Sequence, residues 1–438
     1  QLLPLISIWL GLEFKYVLLI YSLSPVIFFY FLFLFVYYGL RDRRSGLLMI
    51  LAQTVGIVHS FFIPVFELYY AVPLLITFYA IWKLPFRKNI LFILLLLEIL
   101  ILLSHPVAFI LFPYLLLYNF RKENAKPFKL YFPVLLVFVA ALAFRYFVRC
   151  DYGSGKLASQ INFFEPRQYL LYLNPSYTKA FGFFLLRHYF EILAGAIIVI
   201  IMLASRKQWL RLLLFITTLL IYVFLVNSSD IIEPSGYLEQ MMFPFVLIVF
   251  IPLIYGFSSK RRQGRQNLAV FLISALVVYR LALIYSCSET FVKRVAQMEQ
   301  LIETARQKGG SKFIISSEVI DHGYSQLTWS YPIETMLLSA IDANDLALTI
   351  VPDKVFYPDI DKEKIGAGQF IYRKSELKDY AWLNKRYFHF DIGSYRTIND
   401  STPNSNINYT ANDLRIKINS KNIYPAMDTV WIPVTIVN

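Results

Sequence analysis

The side chains able to do chemistry in the apolar part of this 438-residue chain are few, and they fall at the ends of hydrophobic runs. His59, Glu67 and His105 lie at such ends, as do Asp151, Arg187, His188, Glu191, Asp230, Glu233 and Glu239, while Glu13 precedes the first full run. Charged groups at a membrane edge are costly to keep there, so each one calls for a reason. A positioned carboxylate can take a proton from an acceptor hydroxyl, which makes Glu67 and Glu13 the candidate catalytic bases. An arginine fork or a lysine ammonium can hold phosphate charge. Arg187 and Lys156 fit that role, with His59, His105, His188, Asp230 and Glu239 as further candidates for holding a substrate. A plainer reading stands beside this one. Loops between spans must contain some polar residues, His105 before Pro106 suits a turn, and Glu239 heading an apolar run suits a helix N-terminus for dipole reasons alone. Glu98 and Arg280 lie deeper within runs, and the sequence suggests that they pair with each other.

The elements that must position these residues are apolar helices. The chain is 57% hydrophobic, 17% aromatic and only 16% charged, where a soluble domain has about 25% charge. Disordered, collagenous and disulfide-rich secreted classes are excluded on that basis. The net charge of +13 is unevenly spread. Residues 1–287 hold 25 Lys and Arg against 11 Asp and Glu, whereas residues 288–438 hold 17 against 18. The excess lies within the apolar part, where it reports topology and not a nucleic-acid surface.

Ten apolar runs can be marked, at 16–40, 45–65, 68–84, 90–104, 107–120, 130–148, 187–205, 212–227, 238–257 and 268–286. Seventeen cations gather in five alternate connections: Arg41 to Arg44, Lys83 to Lys88, Arg121 to Lys129, Arg206 to Arg211, and Lys260 to Arg265. Positive connections stay on the cytoplasmic side, so the intervening ends, with their carboxylates and histidines, face outward. The expected fold is an α-helical polytopic membrane domain of about ten spans over residues 1–287. A small extracytoplasmic α/β domain is expected over 288–400, and a linker with the start of a β segment over 401–438. The run from 90 to 120 is too long for one span, and His105-Pro106 predicts a hairpin turn within it. In the tail, the pattern predicts a helix at 289–308, a strand at 312–317, a helix at 334–341, and strands at 347–351 and 369–372. The chain begins with Gln1, and the expectation is of a piece of a longer protein. Cys150 and Cys287 both fall at outward ends and read as two buried thiols more readily than as a disulfide.

The loop from Arg149 to Lys179 interleaves Tyr152, Phe163, Phe164, Tyr169, Tyr172 and Tyr177 with Lys156 and Arg167. Aromatic rings with interspersed cations suit a sugar or a lipid pyrophosphate, and they equally suit an interfacial amphipathic helix. The sequence has no phosphate loop, paired metal-binding cysteine motif or nucleophile elbow.

In its architecture, and in Ser104-His105-Pro106 at an outer tip and Tyr237-Leu238-Glu239 followed by Met241-Met242-Phe243-Pro244 heading a late run, the chain resembles the GT-C class. These are polytopic glycosyltransferases that use polyprenyl-phosphate sugars. The resemblance implies transfer of a sugar at the outer face of the plasma (inner) membrane, with a polyprenyl-phosphate donor and the lipid bilayer as partners. No cofactor is fixed by a motif, and a divalent metal ion stays open. The class places its hallmark carboxylate in the first outer loop, a region here either absent or reduced to residues 1–15, whose only carboxylate is Glu13. The other reading is a membrane scaffold or transporter-like protein that presents its outer domain to an envelope protein.

Overall fold

The computed structural model describes residues 2–62, 67–85, 87–118, 128–148, 175–228, 239, 241–256, 263–320, 330–341, 346–353, 365–373 and 376–398. Two compact units are formed, one of Ser22–Ser288 and one of Gln1–Tyr21 with Glu289–Asn438. The sequence placed residues 1–21 with the membrane domain, but their packing belongs with the C-terminal residues.

The larger unit is helical. α1 (Leu2–Trp9) and the first residues of α2 (Phe14–Leu34) belong to the smaller unit; from Ser22 on, α2 is part of the larger one and runs into a π-helical turn at Phe35–Gly39. There follow α3 (Arg43–Val55), α4 (Leu68–Trp82), α5 (Lys88–Ser104), α6 (Ala108–Tyr118) and α7 (Phe128–Phe147). The series continues with α8 (Pro175–His188), α9 (Phe190–Ser205), α10 (Trp209–Ser228), α11 (Met242–Gly256) and the long α12 (Gln263–Gln307).

Ten spans are not what these helices make. Among the described residues four helices are long and apolar enough to cross a bilayer: Phe14–Gly39, Leu130–Phe147, Trp209–Val226 and Val270–Gln307. A fifth is reached if Phe181–His188 and Phe190–Ser205, bent by 93° at Tyr189, count together. The reason is visible in the short helices. α4 and α11 have 15 residues each, a rise of about 22 Å against a hydrocarbon core of about 30 Å. Nearly every side chain of α4, and every one from Met242 to Pro252 of α11, is buried by protein. A helix apolar on all sides satisfies that pattern inside a protein core as well as in lipid. The four long helices behave differently, with only 11–22% of each apolar window covered. The fold is compatible with a membrane protein of four to five spans.

The break expected at His105 is present. α5 ends there with His105 extended at φ −149° and ψ 138°, and α6 begins at Ala108. Arg145 of α7 donates from Nε to Leu102 O at 3.1 Å and from Nη2 to Leu103 O at 2.6 Å, capping carbonyls that the end of α5 leaves unpaired.

In the second unit the end of α12 packs Met298, Ile302 and Ala305 against a small parallel sheet. Gly309 and Gly310 close the helix with φ of +65° and +102°, conformations open to glycine and strained for other residues. The sheet has β1 (Lys312–Ile315) at its centre, flanked by β2 (Thr349–Pro352) and β5 (Arg396–Ile398), both parallel to it. Registers pair Phe313 with Ile350 and with Arg396. A helix, α13 (Tyr331–Ser339), precedes β2, and β3 (Gln369–Arg373) pairs antiparallel with β4 (Glu376–Asp379). The strand–helix alternation expected for this region is present, and its strands and short helix fall within a few residues of their expected bounds; the helix expected to start at 289 is instead the end of the continuous α12, which begins at Gln263. Residues 401–438, with the expected β segment, lie outside the described residues.

Candidate functional site

Five chain segments bring their polar groups to one buried cluster within the helical unit. Glu239, 1% exposed, accepts from the backbone N–H of Ser60 at 2.8 Å and of Val58 at 3.3 Å through Oε2. Those amides belong to the turn that leaves α3, where His59–Phe62 forms a single 3₁₀ turn. Tyr69, at the start of α4, donates its hydroxyl to Ser60 O at 3.0 Å. A carboxylate accepting two backbone amides fixes a loop that has no ladder of its own, and such charge-assisted bonds are the strong ones.

Arg280 of α12 is the second hub. Its guanidinium is fully buried. Nε donates to Thr54 O at 3.2 Å, Nη2 to Val55 O at 2.6 Å and Nη1 to His188 O at 2.7 Å. The Tyr189 ring lies 4.7 Å from the guanidinium carbon, and Nη1 is 3.1 Å from Glu191 Oε1. Arginine suits this place because its planar fork reaches several acceptors at once. Its acceptors are the last carbonyls of α3 and α8, which a helix end leaves unsatisfied.

The pairing suggested between Glu98 and Arg280 is therefore corrected: the partner is Glu191. Both carboxylate oxygens of Glu98, on α5, are buried without a hydrogen-bond partner among the described residues. Sequence separation explains the error. Nothing in spacing distinguishes two carboxylates that are each far from Arg280, whereas the bend at Tyr189 turns Glu191 toward it.

The other nominated residues divide. Glu67 is exposed and opens α4; its side chain makes no capping bond, and its carbonyl accepts from Tyr70 N and Ala71 N at 3.0 Å. The backbone of His59 sits in the turn held by Glu239, Arg187 is exposed in the last turn of α8, and the His188 ring lies 5.3 Å from that of Phe184. The plainer reading fits His105, whose Nδ1 accepts from Val107 N at 3.2 Å across the turn. Glu13 belongs to the other unit, where it is exposed and pairs with Lys15 at 2.7 Å. Lys156 and Asp230 lie outside the described residues, as do Cys150, Asp151 and Glu233, while Cys287 is buried. Among the described residues no group of three or more His, Cys, Asp or Glu side chains gathers in a way that would hold a metal ion, so no step is derived through one.

Ser60, Tyr69, Tyr189 and Arg280 as a connected set were not read from the sequence. One signal was available: an arginine in the middle of an apolar run has to be paired by something.

Compared with protein-family models, curated proteins and solved structures, the chain matches none. What the fold defines is a class, a mostly helical protein with four to five helices able to cross a membrane.

Proposed function

We propose that this protein is a multi-pass membrane glycosyltransferase of GT-C-like architecture, moving a sugar from a polyprenyl-phosphate donor to an acceptor hydroxyl at the outer face of the plasma membrane. The observation that carries the reading is the gathering of chain ends read as outward-facing around Glu239 and Arg280, with the exposed carboxylate of Glu67 two residues from Tyr69 of that cluster. The cluster supplies a rigid floor, and Glu67, whose side chain has no partner among the described residues, supplies the base. Glu67 takes the acceptor proton while the acceptor oxygen bonds the sugar anomeric carbon. The bond from that carbon to the phosphate oxygen breaks, and the polyprenyl phosphate leaves with the electron pair. Arg187, exposed at the end of α8, is the cation nearest in sequence to the cluster for receiving that phosphate charge. The outer α/β unit belongs to the same reading, and an envelope-protein partner to the scaffold reading below.

The test is turnover of a polyprenyl-phosphate sugar by the full chain in vesicles, with Glu67→Gln beside the wild type. Loss of a general base costs about 10²- to 10⁴-fold, and the exposed position leaves folding unaffected. Full activity in the variant removes Glu67 from the role.

One observation favours a second reading, a non-enzymatic scaffold. Glu239, Glu191 and Arg280 are 0–7% exposed and engaged with backbone or with each other, as a structural lock would be. A scaffold gives no turnover in either protein.

A further inference from the structure

The five cation-rich connections were read only as topology, yet two of them, at Arg41–Arg44 and at Lys83, line one pocket. The turn between the π-helical end of α2 and α3, with the end of α4 and Tyr255 of α11, borders an open surface depression of about 400 Å³. Its wall carries Arg41, Asp42, Arg43, Arg44, Lys83 and Tyr255. That volume lies in the range of small-ligand sites.

The charges of the wall are not equivalent. Lys83 Nζ donates to Asp42 Oδ2, to Ser45 Oγ at 3.1 Å and to Tyr255 Oη at 2.5 Å, and lies 4.4 Å from the Tyr255 ring centre. Ser45 Oγ in turn donates to Asp42 Oδ2 at 2.8 Å, and Ser45 N donates to Asp42 Oδ1 at 3.2 Å. Asp42 and Lys83 thus neutralise each other within a closed network that forms the floor. Arg41, Arg43 and Arg44 are exposed, and none makes an ion pair with a described residue; Arg44 only stands 5.7 Å from the Tyr255 ring centre. Three cations are left around a rigid neutral floor. Arg41 also holds φ at +55°, a left-handed backbone that a non-glycine residue adopts against strain. The pocket adjoins the end of a long apolar helix, where Phe35 and Tyr38 are 46% and 68% exposed, as aromatic side chains at headgroup level are.

We propose that this pocket binds a phosphate-bearing anion at the membrane surface, held by Arg41, Arg43 and Arg44 over the Asp42–Lys83–Tyr255 floor. Arginine forks match phosphate oxygens bidentately. Two sources share this chemistry, an anionic lipid headgroup and a soluble phosphate compound. The site is independent of the transferase reading, because none of its residues enters the transfer step.

The experiment uses the full chain in phosphatidylcholine nanodiscs. Phosphatidic acid incorporated into the disc is the lipid arm and inorganic pyrophosphate the soluble arm, each titrated against thermal stability and direct binding. Saturable binding in either arm, weakened about tenfold or more in the Arg41→Gln/Arg43→Gln/Arg44→Gln variant, is the expected result, since a lost charged hydrogen bond is worth about that factor. The arm that saturates names the source. Arg41→Gly guards against a folding artefact: it relieves the left-handed strain, so it must bind more weakly without melting earlier. Saturable binding in neither arm, or equal binding by wild type and both variants, overturns the proposal.

Discussion

Arg280 and Glu191 form an ion pair of 3.1 Å in which the arginine is wholly buried and the carboxylate 6% exposed. The same guanidinium takes the carbonyls of Thr54, Val55 and His188, so one side chain ties the end of α3 to the bend between α8 and α9. Replacing Arg280 with Met removes every one of these bonds and leaves Glu191 buried and unpaired. Breaking a buried pair from one side costs about 3–5 kcal/mol, more than swapping both partners for apolar groups. Arg280→Met should therefore lower the melting temperature in detergent far more than Arg280→Met with Glu191→Met. Equal melting of wild type and single variant would sink the assignment of Arg280 as the tie.

Residues 1–21 pack with the C-terminal unit through Phe14. Its ring stacks on Tyr387 at 5.3 Å and meets Phe388 edge-on at 5.1 Å, and Tyr387 Oη donates to Leu12 O at 2.8 Å. Truncating a buried phenylalanine costs about 3–5 kcal/mol. Phe14→Ala should make residues 376–398 cleavable by protease under conditions in which the wild type is protected. Unchanged protection would mean that the N-terminal segment is dispensable to this unit.

What could be read from residues alone follows physical rules of short range. His105-Pro106 announces a turn because proline restricts its predecessor, and the His105 backbone is extended as that rule requires. The helix ending near Lys308 is announced by Gly309-Gly310, and both glycines hold positive φ. The span count failed because hydropathy reports that a helix is shielded from water and is silent on whether lipid or protein does the shielding. Met242 to Pro252 is as apolar as any span, yet it is wrapped by protein on every side. The site was half legible for the same reason. Glu239 and the neighbourhood of His59 and His188 stood out as costly polar groups, but their partners are backbone amides and carbonyls, which carry no residue identity. Lys83 was visible only as a charge, since its network depends on Tyr255, 172 residues away.

The Asp42 network makes a prediction about pH. Burial pushes the Asp42 carboxyl up, but the Lys83 ammonium beside it and hydrogen bonds from Lys83 and Ser45 outweigh burial and hold it below its ordinary value of 3.8. A folded value below the unfolded one means that the unfolded chain binds the proton more readily. The contribution to stability is full above 3.8 and is lost as pH falls through the folded value. Asp42→Asn removes that part of the acid dependence. Melting temperatures of wild type and variant followed downward from neutral pH should converge in this window, and parallel curves throughout would show that the pair contributes nothing through Asp42.

Gly56 decides whether α3 can come close enough for Glu239 to reach its turn. A Cβ at this position would lie 2.5 Å from Ala52 O and 2.9 Å from Phe243 Cδ1, with Phe243 Cα at 3.4 Å. Two opposed effects act on Gly56→Ala. Restricting the unfolded chain stabilises by about 0.4–1 kcal/mol where the backbone permits, and φ here is an ordinary −73°. Overpacking against a fixed carbonyl and a buried ring costs about 1–3 kcal/mol. The carbonyl cannot rotate away, so the second effect should win, and Gly56→Ala should melt earlier than wild type. Because Val58 and Ser60 follow directly, the variant should also weaken the hold of Glu239 on their amides, which amide hydrogen exchange at residues 58 and 60 reads. A variant as stable as wild type, with unchanged exchange there, would show that α3 and α11 have slack at this contact and that the approach is not what positions the cluster.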